Sequence, residues 1–338
     1  MFQLNVSAIS YALPERKVTN ADLDAENPSW DLVRSSHRIG VETRYIAETG
    51  ETSLDLAVTA CDRLFNEVPG IDRNEVDGLI FCTQSPDHIM PPNSALLHRE
   101  LGLQDSVLAF DFNLACSGYV YGLAIAEGLL ASKRATSLLL VNADTYSKFI
   151  HPGDRSTRAL FGDGAAVSWL TTSQTGPALV DLLCATWGGG ADKFIIPAGG
   201  CRQPRSLESS QPHTDESGNT RTAEDIHMDG MGMVSFVSTK VPPQIRQLLE
   251  RNSLTLEDID LFIFHQASGL VLDTLQRFLR IPPEKSYRTL GRMGNTVSAS
   301  IPIALRDAFD EGEIAQGSRV LISGFGVGLS WASAILQY

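Results

Sequence analysis

The feature that most constrains this 338-residue chain is a strand-and-turn pattern written twice. Val76-Asp77-Gly78-Leu79-Ile80-Phe81-Cys82-Thr83-Gln84-Ser85 reads like Ile259-Asp260-Leu261-Phe262-Ile263-Phe264-His265-Gln266-Ala267-Ser268, 183 positions later. Thr136 to Val141 matches Ser318 to Ser323 at nearly the same offset, and a helix pattern opening at Ser117 has a counterpart opening near Thr296. One supersecondary unit used twice repeats its pattern, so duplication is the economical reading. The alternative is that generic strand-helix units resemble one another.

The repeated strands are continuous apolar runs: Gly78-Leu79-Ile80-Phe81-Cys82, Ser137-Leu138-Leu139-Leu140-Val141, Gly164-Ala165-Ala166-Val167, Leu261-Phe262-Ile263-Phe264 and Arg319-Val320-Leu321-Ile322-Ser323. Runs without polar alternation mean strands covered on both faces. Helix patterns lie between them, at 53–65, 117–132, 243–252, 269–280 and 298–311. The alternation predicts an α/β architecture with helices on both sides of mixed sheets. With 43% hydrophobic and 20% charged residues the chain can fill such a core. One segment breaks the rhythm: 198–225, polar and rich in Gly, Pro and Ser, reads as a surface excursion in the second half, functional or mobile.

Charge and cysteines narrow the function. Twenty-seven Lys+Arg against 40 Asp+Glu leave a formal charge of −13, which argues against nucleic acid as a partner. Cys61, Cys82, Cys116, Cys184 and Cys201 are odd in number and contain no CxxC pair, so neither a disulfide framework nor a metal site is expected, and a reducing cytoplasm fits. The opening residues lack the basic-then-apolar order of a signal peptide. No apolar run approaches the ~20 residues of a membrane span. The expectation is a cytoplasmic enzyme.

Three segments can carry its chemistry. In Asp111-Phe112-Asn113-Leu114-Ala115-Cys116-Ser117-Gly118-Tyr119-Val120-Tyr121-Gly122 a strand gives way to a helix whose only charge up to Ser132 is Glu127. Cys116 stands at that helix's N-terminus, where amides and the dipole favour a thiolate and lower the thiol pKa. The plain alternative is an inert buried cysteine, the reading kept for the other four. His265 directly follows a buried strand, at the end where α/β proteins assemble sites, unless it is a satisfied core histidine. Gly291-Arg292-Met293-Gly294-Asn295-Thr296 presents Asn295 before a helix, as a site residue or a simple N-cap. Ser323-Gly324-Phe325-Gly326-Val327-Gly328 is no dinucleotide loop, because ten residues remain after it; a turn offering backbone N–H groups to an oxyanion fits better. A Cys, a His and an Asn without metal-ligand spacing suggest acyl-thioester chemistry.

These residues resemble the β-ketoacyl-[acyl carrier protein] synthase III family of thiolase-fold condensing enzymes. The matching motifs are AFDFNLACSGYVYGL, FIFHQAS and GRMGNTVSASIPIAL, which occur in the family's order, with DRSTRALFGDGAAV and GFGVGLSWASAIL as further matches. The resemblance implies a thiolase-like fold of two similar α/β halves, 1–172 and 173–338, in five αβαβα layers, and a homodimer. It implies that Cys116 takes an acyl primer from acyl-CoA, that His265 and Asn295 bind a malonyl thioester on acyl carrier protein and stabilise its enolate, and that backbone N–H groups of Cys116 and Val327 form an oxyanion hole. Trp30, Arg38 and Arg155 are the implied CoA contacts, no metal or redox cofactor is required, and fatty acid biosynthesis is the implied setting.

Several positions depart from the family pattern. The spacing from Trp30 to Arg38 is long. Leu270 replaces an arginine associated with carrier docking, for which Arg246, Arg277 and Arg280 could substitute. Met90 stands where an aromatic residue often shapes the primer pocket from the partner subunit; a flexible thioether there predicts a longer acyl pocket. Met293 replaces a common histidine. The competing readings are a thiolase-fold acyltransferase that passes the Cys116-bound acyl group to a hydroxyl or amine, a degradative thiolase, which needs a late second cysteine that this chain lacks, and a non-catalytic partner subunit.

Overall fold

The computed structural model describes residues 3–173 and 176–338, with Arg38 described by its backbone alone. Nine strands form one mixed sheet: β1 (Asn5–Ala12), β2 (Gly78–Cys82), β3 (Leu108–Phe112), β4 (Ser137–Asp144), β5 (Gly164–Thr171), β6 (Ala178–Thr186), β7 (Leu261–Phe264), β8 (Arg319–Gly326) and β9 (Ser330–Gln337). Their order is β7-β8-β9-β6-β1-β5-β4-β2-β3. The two sides meet where Asn5 of β1 pairs with Ala178 of β6. Outward from that junction each side repeats the same sequence of pairings: antiparallel β1·β5·β4 answers antiparallel β6·β9·β8, and parallel β4·β2 answers parallel β8·β7. Even the outermost strand β3 has a vestigial counterpart, a single parallel bridge between Phe262 and Ser286.

Alternation along the strands builds the layers. The helices of eight residues or more are α1 (Leu32–Ile39), α2 (Ser53–Glu67), α3 (Asn93–Glu100), α4 (Gly118–Ala131), α5 (Gly230–Arg251), α6 (Gly269–Leu279) and α7 (Ser300–Asp310). In β4, Leu139 and Val141 face α2 and α3 in one core, while Leu138 and Leu140 face α4. In β7 and β8, Phe262, Phe264 and Leu321 face α5 and α6, while Ile263, Val320 and Ile322 turn to the same interior as α4 and α7. The result is five layers, with α4 and α7 between the sheet regions, as α4 with its single charge, Glu127, demands. The strand phase follows from the two-residue period, since a one-residue slip would point every side chain the other way.

Two expectations change. The helix predicted to begin at Pro243 begins at Gly230, with Asp229 capping it by accepting the Gly232 N–H at 2.8 Å, and it runs through Pro242 and Pro243. Proline is costly inside a helix, but burial of Phe236, Val237 and Val241 upstream outweighs that cost. The polar excursion is folded rather than loose. Its short hairpin, His213–Thr214 with Thr220–Arg221, sets Arg221 on buried Asp154 through two bonds of 2.6 and 3.0 Å. No helix among the described residues is long and apolar enough to cross a membrane.

Candidate active site

Cys116 lies on the turn between β3 and α4, where the Gly118 N–H donates to the Ala115 carbonyl at 2.7 Å. The loop leaving β8 packs directly on it. A Cβ added at Gly326 would lie 2.8 Å from Cys116 Cβ and 2.9 Å from its Sγ, so the close approach requires glycine there. The Ser117 and Ser330 hydroxyls, 2.7 Å apart, tie this turn to β9.

His265 continues β7 by one residue, its N–H donating to the Ser323 carbonyl at 2.8 Å. The imidazole stands edge-on to Phe325 at 5.6 Å between ring centroids, and its Nδ1 lies 2.7 Å from the Ser300 hydroxyl. Asn295 is fixed through its backbone, which donates to Leu160 O at 2.9 Å and accepts from Gly162 N at 3.0 Å. Its side-chain Oδ1 accepts the Val297 N–H at 2.9 Å, and Nδ2 donates to the Ala267 carbonyl at 3.3 Å. Asn295 is not the N-cap of the helix, which starts at Ser300 after Ala299; its amide oxygen closes a local turn and a second Nδ2–H remains.

All three side chains line one cavity of about 530 Å³, whose remaining wall includes Phe161, Phe194, Met228, Met233, Val237 and Phe325. Such a wall suits an acyl or pantetheine-like chain and strengthens the few polar contacts inside it.

Burial decides the protonation states. It drives His265 down to about 3, so the imidazole is neutral at physiological pH. The helix-end expectation for Cys116 is reversed in the resting protein: burial, reinforced by the nearby Asp144 carboxylate, pushes the thiol up. Desolvation of a nearly sealed sulfur, 3% exposed, opposes the amides of the α4 N-terminus. Asp144 is itself raised to about 7 by burial, against the donors that surround it.

The other expected site residues disperse. Val327 sits in the turn after Gly326, where its carbonyl accepts the Ser330 hydroxyl at 2.9 Å. Trp30 is only 8% exposed, packed among Val18, Leu23, Leu32 and Ala159, with the Arg158 guanidinium 5.9 Å above its ring. The ring is thus packed in the fold, with a guanidinium over one face. Arg155 opens a short helix beside the cavity and does not line it, although its neighbour Ser156 does. The side chain of Arg38 lies outside the described residues. Met90 (79% exposed) and Ile89 (95% exposed) stand on the loop before α3 and are not among the residues lining this chain's own cavity, as expected of a side chain offered to a partner subunit's pocket. Leu270 lines the cavity and is half-exposed, whereas Met293 is buried against Ala299 and Ile303. Arg277 and Arg280 line a shallow hollow on α6, and Arg246 reaches across from α5 to the Phe278 carbonyl at 3.0 Å.

Sequence reasoning missed Asp144, Ser298, Ser300 and Gly326. A carboxylate closing the apolar run Leu138-Leu139-Leu140-Val141-Asn142-Ala143-Asp144 was the available signal, because an acid there must find several donors.

Comparison with known proteins gives a consistent result. Residues 110–188 match the family model for 3-oxoacyl-[acyl-carrier-protein] synthase III, and residues 249–338 match the model for its C-terminal part. The β-ketoacyl-[acyl-carrier-protein] synthase III of Campylobacter curvus is 33% identical, over 100% of this chain and 98% of that protein. A crystal structure of a 3-oxoacyl-(acyl-carrier-protein) synthase III superposes with a TM-score of 0.96 and 38% identity, covering 99% of this chain and all of that one. The enzyme of that name from Pseudomonas aeruginosa superposes with a TM-score of 0.85 and 31% identity, covering 99% and 98%.

Proposed function

The chain belongs to the β-ketoacyl-[acyl carrier protein] synthase III family, also called 3-oxoacyl synthases, and from that premise we propose how its own residues divide the condensation between them. The protein is an acyltransferase of thiolase fold that joins an acyl-CoA primer to a malonyl thioester. In the first half-reaction Cys116 Sγ attacks the primer carbonyl. The C–S bond to CoA breaks, CoA leaves as the thiol, and the acyl group stays on Cys116. N–H groups of Cys116 and Val327 receive the oxyanion. In the second, His265 and Asn295 donate to the malonyl thioester carbonyl while its carboxylate leaves as CO₂. The resulting carbanion attacks the acyl-Cys116 carbonyl, expelling the sulfur and forming the β-ketoacyl thioester. Loss of CO₂ drives the bond formation, so the step calls on no metal or redox group.

The observation that carries this reading is that a nucleophile from one side of the sheet and two hydrogen-bond donors from the other open on the same apolar cavity. A neutral His265 suits the second step, since a neutral donor stabilises an enolate without being spent as a charge.

The acyl carrier protein partner is acidic, and Arg246, Arg277 and Arg280 gather around the C-terminal end of α6, the helix whose first turn lines the cavity. Charge reversal of all three raises the apparent KM for malonyl-carrier protein while leaving that for malonyl-CoA unchanged; equal KM values for the carrier substrate in both proteins remove this dock. A homodimer in the cytoplasm completes the reading. The dimer is supported by the outer edge of β3, unpaired among the described residues, and by the solvent-facing Ile89 and Met90.

Intact-protein mass after exposure to acyl-CoAs of increasing length tests the assignment. One acyl adduct on the parent and none on Cys116→Ala is expected; an adduct that survives the substitution overturns it.

A further inference from the structure

The six residues from Asn295 to Ser300 do more than present Asn295. Gly294 enters with φ +70° and Val297 has φ +53°. A β-branched residue in the left-handed region is strained, and such strain persists only where the surroundings over-determine it. Here the bonds on both sides of Val297 do so. Before it, Asn295 Oδ1 accepts the Val297 N–H at 2.9 Å. After it, Ser298 donates its hydroxyl to Asp144 Oδ2 at 2.6 Å, and its N–H approaches the same oxygen at 3.4 Å. Asp144 is fully buried at the end of β4, its other oxygen accepting the Gln84 N–H at 2.8 Å. The strained turn is thus latched to the opposite side of the sheet.

Two residues further on, Ser300 opens α7 with its hydroxyl 2.7 Å from His265 Nδ1. The same oxygen is approached at 3.4 Å by the Gln266 N–H, which is a donor. Among the described residues the ring nitrogen is the one acceptor recorded for this hydroxyl, so its proton points to Nδ1. A neutral imidazole that accepts at Nδ1 carries its proton on Nε2, the nitrogen free to face the cavity.

We propose that Ser300 is a positioning residue that holds His265 in the Nε2–H tautomer, with the Ser298–Asp144 bond keeping Ser300 in register. The assignment deepens the proposed condensation, on which it rests: an Nε2–H is what a developing enolate oxygen requires, whereas the other tautomer would present a lone pair to it.

The consequence is confined to one half-reaction. In Ser300→Ala, acylation of Cys116 by acyl-CoA in a single turnover stays within threefold of the parent. Condensation of the preformed acyl-enzyme with the malonyl thioester slows at least tenfold in kcat with little change in KM. Ser300→Thr, which keeps a hydroxyl, recovers most of the loss. Condensation within twofold of the parent, or an equal loss in both half-reactions, overturns the proposal. Nitrogen-15 NMR of the histidine-labelled parent protein reads the tautomer with no variant and no turnover. Protonated Nε2 at His265 is expected, and protonated Nδ1 rejects the assignment. A parent that acylates but never condenses would instead fail the proposed function, while the spectrum still decides the tautomer.

Discussion

Two strand ends, one from each side of the sheet, meet the opposite side with contrary chemistry. β4 ends in Asp144 and β8 ends in Gly326, which are equivalent positions of the repeat 182 residues apart. At the same offset Cys116 corresponds to Ser298. Each strand end touches the other side's member of that second pair: Asp144 accepts the Ser298 hydroxyl, and bare Gly326 lies against Cys116. Where the repeat keeps a side chain it builds a latch, and where it drops one it makes room for a nucleophile. The lesson is that a duplicated scaffold supplies two equivalent corners, and function comes from filling one and emptying the other.

The largest effect comes from refilling the empty corner. Gly326→Val places carbon within 3 Å of Cys116 Sγ, and a displaced nucleophile costs roughly 100-fold in acylation. Single-turnover transfer from acyl-CoA measures it, and a loss below threefold would show that the corner has slack. Emptying the filled corner is the next step down. Asp144→Ala strands the Ser298 hydroxyl and the Gln84 N–H in the core, at about 3 kcal/mol on the scale of unsatisfied buried groups, read as a drop in urea midpoint.

A subtler change keeps the shape and removes the charge. Asp144 titrates at about 7 rather than in the usual carboxylate range, because it is buried. Below about pH 7 its neutral form therefore predominates in the folded chain. The stability it contributes is complete below the unfolded value near 4 and is lost as pH rises toward 7. In Asp144→Asn that decline disappears from the urea midpoints. Because the carboxylate raises the Cys116 thiol, alkylation of Cys116 in this variant also shifts to lower pH; an unchanged profile would uncouple the two corners. The smallest effect belongs to His265. Held near 3 by burial, it stays neutral above pH 5. In the Asp144→Asn background the condensation rate of the acyl-enzyme should vary less than about twofold between pH 6 and 8. A rate that climbs severalfold with a midpoint near 6.5 would place His265 in water. For stability the sign is opposite to that of Asp144: the depressed histidine costs stability as pH falls from 6.5 toward 3.

Much of this could be read from the chain before its structure, for physical reasons. Continuous apolar runs at 78–82, 137–141 and 319–323 admit little besides doubly covered strands, and the structure places strands there. Cys116, His265 and Asn295 were legible because each follows a local signal: a helix start, a strand end, a glycine-flanked turn. What escaped depended on partners far away in sequence. That the Trp30 ring packs under Arg158, more than a hundred residues later, has no local signal. The folded excursion depends on Arg221 meeting Asp154. The direction of the Cys116 shift depends on how completely the third dimension seals the sulfur, which no helix-end rule contains. The latch joins Asp144 to a serine 154 positions away.

The central claim is that this site condenses with decarboxylation, and product analysis tests it most directly. Protein, acyl-CoA and malonyl-carrier protein labelled at the free carboxyl should yield one labelled CO₂ for each carrier thioester lengthened by the acyl unit, and neither product with Cys116→Ala. Transfer of the acyl group to an acceptor with the malonyl carboxyl retained would contradict the account.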